Sequence, residues 1–246
     1  MREIKYPIGL KLILITSMLL LISLGALTIL VTYFMGQETQ VTAESNNYTI
    51  NTRSAAAVEN ELTTLRANTL LLLDMLNSAG TDGALARQAS AFFFERNQNI
   101  AAIILRNQEQ QSNQRYLVNN RFFLSNELET NMIDSFIEAN GDYLTRTAAG
   151  ETFVLNAAPA FQYPVLSMLI PWNETGFRQT AVVLFSAEPI TNNLGGGSAN
   201  TSYLVNHAGD LLVHSDFNLV QAGSNYAAMP LVQAMWENND ASRQIM

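Results

Sequence analysis

The chain has 246 residues, 48% of them hydrophobic and 14% charged, with no cysteine and a formal net charge of −8. The lack of cysteine excludes disulfides and thiolate zinc sites, and the acidic balance opposes binding to a phosphate backbone, which argues against a nucleic-acid partner. A length of this order holds one or two domains.

Residues 12–34, LILITSMLLLISLGALTILVTYF, form a nearly uninterrupted apolar run. About 20 such residues cross a bilayer as a helix. A secretory signal has a shorter apolar core, about 7–15 residues, and a small-residue cleavage site. VTYFMGQ offers no such site, so an uncleaved membrane anchor is expected. Its Thr and Ser hydroxyls can bond back to helix carbonyls. Arg2, Lys5 and Lys11 precede the run, and no basic residue follows before Arg53. Positive residues stay cytoplasmic, so residues 1–11 are expected as a cytoplasmic tail of a cell inner-membrane protein and residues from about 36 on the extracytoplasmic side.

Residues 38–78 contain neither Pro nor Gly and read as one long stalk helix. Val58, Leu62, Leu65, Thr69, Leu72 and Leu76 recur at alternating spacings of four and three. Such a seam fits a helix packed on a globular core and also a dimer stalk. SAGTDG breaks the helix. A second one follows over residues 83–97, with Leu85, Ala89, Phe92 and Phe93 on one side.

The period then changes. IAAIIL at 100–105 and RYLVNNRFFL at 115–124 are predicted strands of a hairpin with a long loop. Ser125 is the expected N-cap of a helix carrying Leu128, Met132 and Phe136, stopped at Asn140-Gly141. From Glu151 three strands are expected, ETFVLNAAPAF, PVLSMLIPW and TAVVLFSAE, with turns at QYP and NETG. LGGGSANTS is a joint. SYLVN and DLLVHS flank HAG in a final hairpin, where Gly209 can supply a positive φ. The fold class is α+β, an antiparallel sheet with helices packed on it.

Little of this carries chemistry. His207 and His214, the only histidines, lie near Asp210 and Asp216. No zinc-protease spacing, nucleophile elbow or phosphate loop is present, and Gly195 to Gly197 lack a following Lys. The spacing favours a turn residue (His207) and a strand-end residue bonding locally (His214) over a metal or catalytic pair. No catalytic site, metal site or cofactor is expected. A small-molecule pocket remains, and Tyr116, Arg121, Tyr143, Asn156, Tyr163 and Trp172 are its candidate lining residues on or beside the predicted strands. Arg121 can pair with a ligand carboxylate.

An apolar anchor, a long extracytoplasmic helix and a unit ending in AVVLFSAEPI, followed by SYLVNHAGDLLVHSDFNLVQAG, resemble the double Cache sensor family of bacterial chemoreceptors, histidine kinases and nucleotide cyclases. The resemblance implies a PAS-like membrane-distal unit over 80–193, a linker over 194–200 and the start of a second Cache unit over 201–246. It also implies a structural role for His214-Ser215-Asp216, while the dimer-stalk reading of the seam makes a homodimer through the long helix the expected partner. Amino-acid-binding members carry an Arg-x-Trp-Tyr element, and Arg121-Phe122-Phe123 stands nearest to it here. KYPIGLKLILITSMLLLISLGALTILVTYF and RQASAFFFERNQNIAAIIL resemble the N-terminal part of spirochaete adenylate or guanylate cyclases. That implies a class III cyclase whose catalytic domain lies beyond Met246, these residues being an N-terminal piece. The alternatives are a chemotaxis receptor with the same exterior, an exported hydrolase using His207 or His214, and a ligand-free membrane-anchored scaffold.

Overall fold

The computed structural model describes residues 7–79, 83–107, 114–174, 177–194 and 202–238. Arg2, Lys5, the stop at Gly80, the loop after the first strand, Thr175-Gly176 of the NETG turn and the Gly195 to Gly197 joint lie outside these residues. The chain divides into two compact bodies, Met1–Ile50 and Asn51–Met246.

Helix α1 runs over Ile8–Ala79. In the first body it includes Ile8–Met35, the single segment among the described residues long and apolar enough to cross a membrane. Its threonine hydroxyls bond within the helix: Thr16 Oγ1 donates to Leu12 O at 3.0 Å, and Thr28 and Thr32 donate to Leu24 O and Thr28 O at 2.8 Å. That removes the cost of placing a bare hydroxyl in hydrocarbon.

The second body is built on a five-stranded antiparallel sheet of order β2-β1-β5-β4-β3. The strands are β1 (Ile100–Asn107), β2 (Gln114–Val118), β3 (Phe153–Asn156), β4 (Val165–Glu174) and β5 (Phe177–Ser186). Successive side chains of a strand point to opposite faces. Ile103, Val183 and Met168 share one register row and one face, whereas Ile104, Val182 and Leu169 share the next row and the other face. Both faces are buried. That is why IAAIIL and AVVLF are continuous apolar runs without polar alternation.

On the first face lie the Asn51–Ala79 part of α1 and helix α2 (Ala84–Arg96). The heptad-like seam is spent here: Val58, Thr69, Leu72 and Leu76 are buried and Leu62 and Leu65 half-buried, with Leu73 added at 0% exposure. Of its two readings, the helix on a globular core is the one found. The expected inner face of α2 is corrected. Leu85 and Phe92 are exposed, while Ala86 and Phe94 are buried with Phe93 and Ala89 beside them.

The second face is covered by short helices: α3 (Asn120–Ser125), α4 (Asn131–Ala139), α5 (Gly141–Ala148) and α6 (Ala158–Phe161). Three expectations fail here. The run 115–124 is not one strand, because the Asn119 carboxamide accepts from Phe122 N at 3.2 Å and starts α3, which buries Phe122 and Phe123. Ser125 is therefore the end of α3 and not the cap of α4; Glu127, at φ 54°, makes the turn between them. The stretch 151–161 is strand only to Asn156, where Asn156 Oδ1 accepts from Ala158 N at 2.9 Å and turns the chain into α6. Helix α5 had no counterpart in the sequence reading.

A C-terminal lobe, residues 202–238, follows α7 (Glu188–Asn193) and holds β6 (Tyr203–Val205), β7 (Leu211–His214), α8 (Phe217–Gln221) and α9 (Pro230–Asn238). Strands β6 and β7 form the expected hairpin. Gly209 has φ +84°, and a Cβ there would stand 2.7 Å from Ala227. His214 Nδ1 accepts from Asp216 N at 2.9 Å, and Asp216 Oδ1 accepts from Asn218 N at 3.0 Å as the N-cap of α8. The His-x-Asp element is thus a cap that ends a strand and starts a helix.

Candidate functional site

A cleft of about 660 Å³ opens at one end of the sheet. Four chain segments meet there: the end of α2, the β2–α3 corner, the loop after α6 and the β5–α7 corner. Each arrives for a local reason. Asn119 Nδ2 donates to Ile100 O at 2.9 Å, which ties the α3 corner to β1. Ala187 N donates to Pro164 O at 2.8 Å, which ties the α6–β4 loop to the α7 corner. The volume suits a small organic molecule.

Phe94 and Phe122 give the cleft apolar walls, while Arg121, Glu95, Glu188 and the amides of Gln98, Asn99 and Asn126 give it polar ones. Among the described residues the ion pair found is Arg146–Glu151, so Arg121, Glu95 and Glu188 line one cavity without neutralising one another. Burial pushes the Tyr163 hydroxyl above its ordinary pKa, and the Glu188 carboxylate adds to that. Ser186 Oγ accepts from Glu188 N at 3.2 Å, and neither histidine lines the cleft. The arrangement sets charged and amide groups beside apolar walls.

The structure divides the six candidate residues into four places. Arg121 and Tyr163 line the cleft, with Tyr163 edge-on to Phe122 at a ring separation of 6.2 Å. Asn156 and Tyr143 face the C-terminal lobe instead. Asn156 Nδ2 donates to Val220 O at 2.7 Å, and the Tyr143 ring stands 6.4 Å from that of His207. Tyr116 lies on edge strand β2, its hydroxyl 2.6 Å from both Asp134 Oδ1 and Gln114 Oε1. Trp172 is buried in the opposite core, under α1 and α2. Glu95, Glu188, Gln98 and Asn126 were missed; they come from segments far apart in sequence, and no local pattern joins them.

No family model matches the sequence, and no curated protein does. Among solved structures, the chain is similar to the sensory domain of the Campylobacter jejuni chemoreceptor Tlp3 with isoleucine bound, at a TM-score of 0.51 and 12% identity over 84% of this chain and 83% of that one. It is also similar to the ligand-binding domain of the same receptor in complex with L-valine, at 0.49 and 10% identity over 84% of each chain. The long apolar helix followed by an antiparallel sheet with helices is a Cache- or PAS-like sensor fold.

Proposed function

We propose that this chain is the membrane-anchored, extracytoplasmic small-molecule sensing region of a bacterial signal-transduction receptor, with its N-terminus in the cytoplasm. The observation that carries the reading is a sheet covered on both faces, as in a receptor's sensory domain, that opens at one end onto a polar cleft holding Arg121. The apolar Ile8–Met35 helix and the preceding basic residues support the anchor and its orientation. The reading requires no metal or cofactor. Arg121 is assigned to a ligand carboxylate. The isoleucine held by Tlp3 puts amino acids first among compounds to try, and the lack of Trp and Tyr after Arg121 widens the panel to other small carboxylates.

A homodimer through the stalk belongs to the same proposal. With the seam from Val58 to Leu76 packed on the sheet, a second copy must meet the outward side of α1, where Leu71 and Met75 are exposed. The effector is assigned by two different arguments. A nucleotide cyclase is the effector proposed from the N-terminal stretch, and a chemotaxis transducer is the one that the likeness of the fold to a chemoreceptor's sensory domain favours. Ligand-dependent cyclic nucleotide formation by the native receptor supports the first, and ligand-dependent methylation supports the second.

The sensing role is tested by thermal unfolding of the whole chain in lipid nanodiscs against amino acids, other carboxylates and amines. A ligand at about 100 times its Kd raises the midpoint by about 5–10 °C for a chain of this size. Arg121→Gln is expected to remove the gain from carboxylates. A flat response to every class would sink the sensor in favour of the scaffold.

A further inference from the structure

The connection between β3 and β4, residues 156–165, touches both the cleft and the C-terminal lobe. Its base is closed by Ala157 N donating to Val165 O at 3.1 Å. Inside this loop α6 lies between two cores. Phe161, 1% exposed, is in the core beneath the short helices, while Ala158, at 0%, is in the core of the lobe with Leu211 and Val220. One four-residue turn thus contributes a side chain to each.

Its two ends differ. At the near end Asn156 Nδ2 bonds Val220 O of α8 at 2.7 Å. At the far end Gln221 Nε2 of α8 donates to Gln162 Oε1, and the next residue, Tyr163, lines the cleft. Gln162 itself has φ 51° and ψ 23°, a left-handed conformation that a non-glycine residue holds at a cost. The strained residue therefore stands between the cleft tyrosine and the helix that enters the lobe. A shift of Tyr163 has a short covalent route, through Gln162, to a rigid turn locked into the lobe core.

Resting on the sensor reading of the cleft, we infer that α6 with Gln162 is the coupling element through which occupation of the cleft is felt by the lobe. Gln162 supplies the hinge, and the Asn156–Val220 and Gln162–Gln221 bonds supply the grip. A ligand shifts the lobe only so far as it favours one placement of Tyr163 over another.

The absence of cysteine allows a test with a fixed occupant. Ser125 lines the cleft and is exposed. Ser125→Cys in the full chain, in nanodiscs, is labelled with pyrene maleimide, and amide hydrogen exchange is compared with the unlabelled variant. Labelling is expected to change exchange over residues 203–221 at least about threefold, a change that Asn156→Ala with Gln162→Ala reduces to below about 1.5-fold. If the double variant loses lobe protection without label, Gln162→Gly, which frees the hinge and keeps Asn156, is judged by the same comparison. A change confined to the cleft, or one that survives undiminished in these variants and so travels by the α7–β7 contact, overturns the inference. The outcome is separable from that of the ligand panel: a coupled lobe with no responding compound sinks the sensor reading alone, and a responding compound with an indifferent lobe sinks the coupling alone.

Discussion

The two faces of the sheet are covered in opposite ways. On one, α1 lays down Leu72, Leu73 and Leu76 and α2 adds Ala86 and Phe94, over Ile103 of β1 and the ring of Trp172 on β4. On the other, four helices of between four and nine residues bring the rings of Phe122, Phe123, Phe136 and Phe161, over Phe153 of β3. Among the described residues the first face has no positive φ in its cover. The second has Glu127, Gly150 and Gln162 in the connections of its cover, and a buried hydroxyl without a protein partner, Ser167 Oγ. The contrast separates two tasks. A continuous helix gives one cooperative cover, whereas short helices joined by turns can move one at a time, and α3 and the loop after α6 reach the cleft, where they meet the end of α2.

The largest expected effects set the two covers against each other. Leu73→Ala leaves a cavity under α1 and should cost about 2–5 kcal/mol, and Phe161→Ala under α6 about 3–5 kcal/mol. The sizes overlap but the distributions should not. In hydrogen exchange Leu73→Ala is expected to lower protection across β1, β4 and β5 together, while Phe161→Ala lowers it in α6 and the lobe first. Equal, sheet-wide loss in both would erase the distinction between the faces.

The same contrast decides how much was legible in the sequence. The long apolar helix, the seam, β1, β4 and β5 could be read because each is a long run of one period, or of none, and burial of both sheet faces leaves the strands no competing pattern. The short helices could not. A helix of six residues, such as α3, completes too few turns to show a period, so Phe122 and Phe123 look like strand residues until the Asn119 side chain is seen capping them. Asn156 acts in the same way before α6. The candidate residues divide accordingly: Arg121 and Tyr163, chosen as residues on or beside predicted strands, line the cleft, whereas Glu95 and Glu188 are brought there only by tertiary packing. Trp172 was assigned to the pocket because alternation along β4 does not say which face is which.

A smaller effect, of opposite sign, probes the second core directly. Ser167 is fully buried between Leu155 and Leu184 on the neighbouring strands. A buried hydroxyl left unpaired costs about 1–3 kcal/mol, so Ser167→Ala should raise the unfolding midpoint. The equivalent small-to-small change on the first face, Ala181→Ser, should lower it. A destabilised Ser167→Ala would mean that the hydroxyl has a partner, and that this core is less dry than its neighbour across the sheet.

The smallest effect concerns how the short-helix cover is tied to the sheet edge. Tyr116 on β2 reaches Asp134 on α4 at 2.6 Å, and its hydroxyl pKa is pushed up from 10.0 to about 12, first by burial and then by the hydrogen bond to Asp134. Folding thus favours the neutral phenol. The stability this lends is complete below the unfolded-state value near 10 and is lost as the pH rises from there through about 12. Because the side chain is 41% exposed, solvent screens much of the interaction, and the loss should be well below what the shift alone implies. Tyr116→Phe should flatten the decline in unfolding midpoint between pH 10 and 12 while changing little at pH 7. If α4 is held by its apolar contacts alone, through Ile133, Phe136 and Ile137, the two alkaline profiles will coincide. The edge tie would then be incidental, and the mobility assigned to this cover would extend to its longest helix.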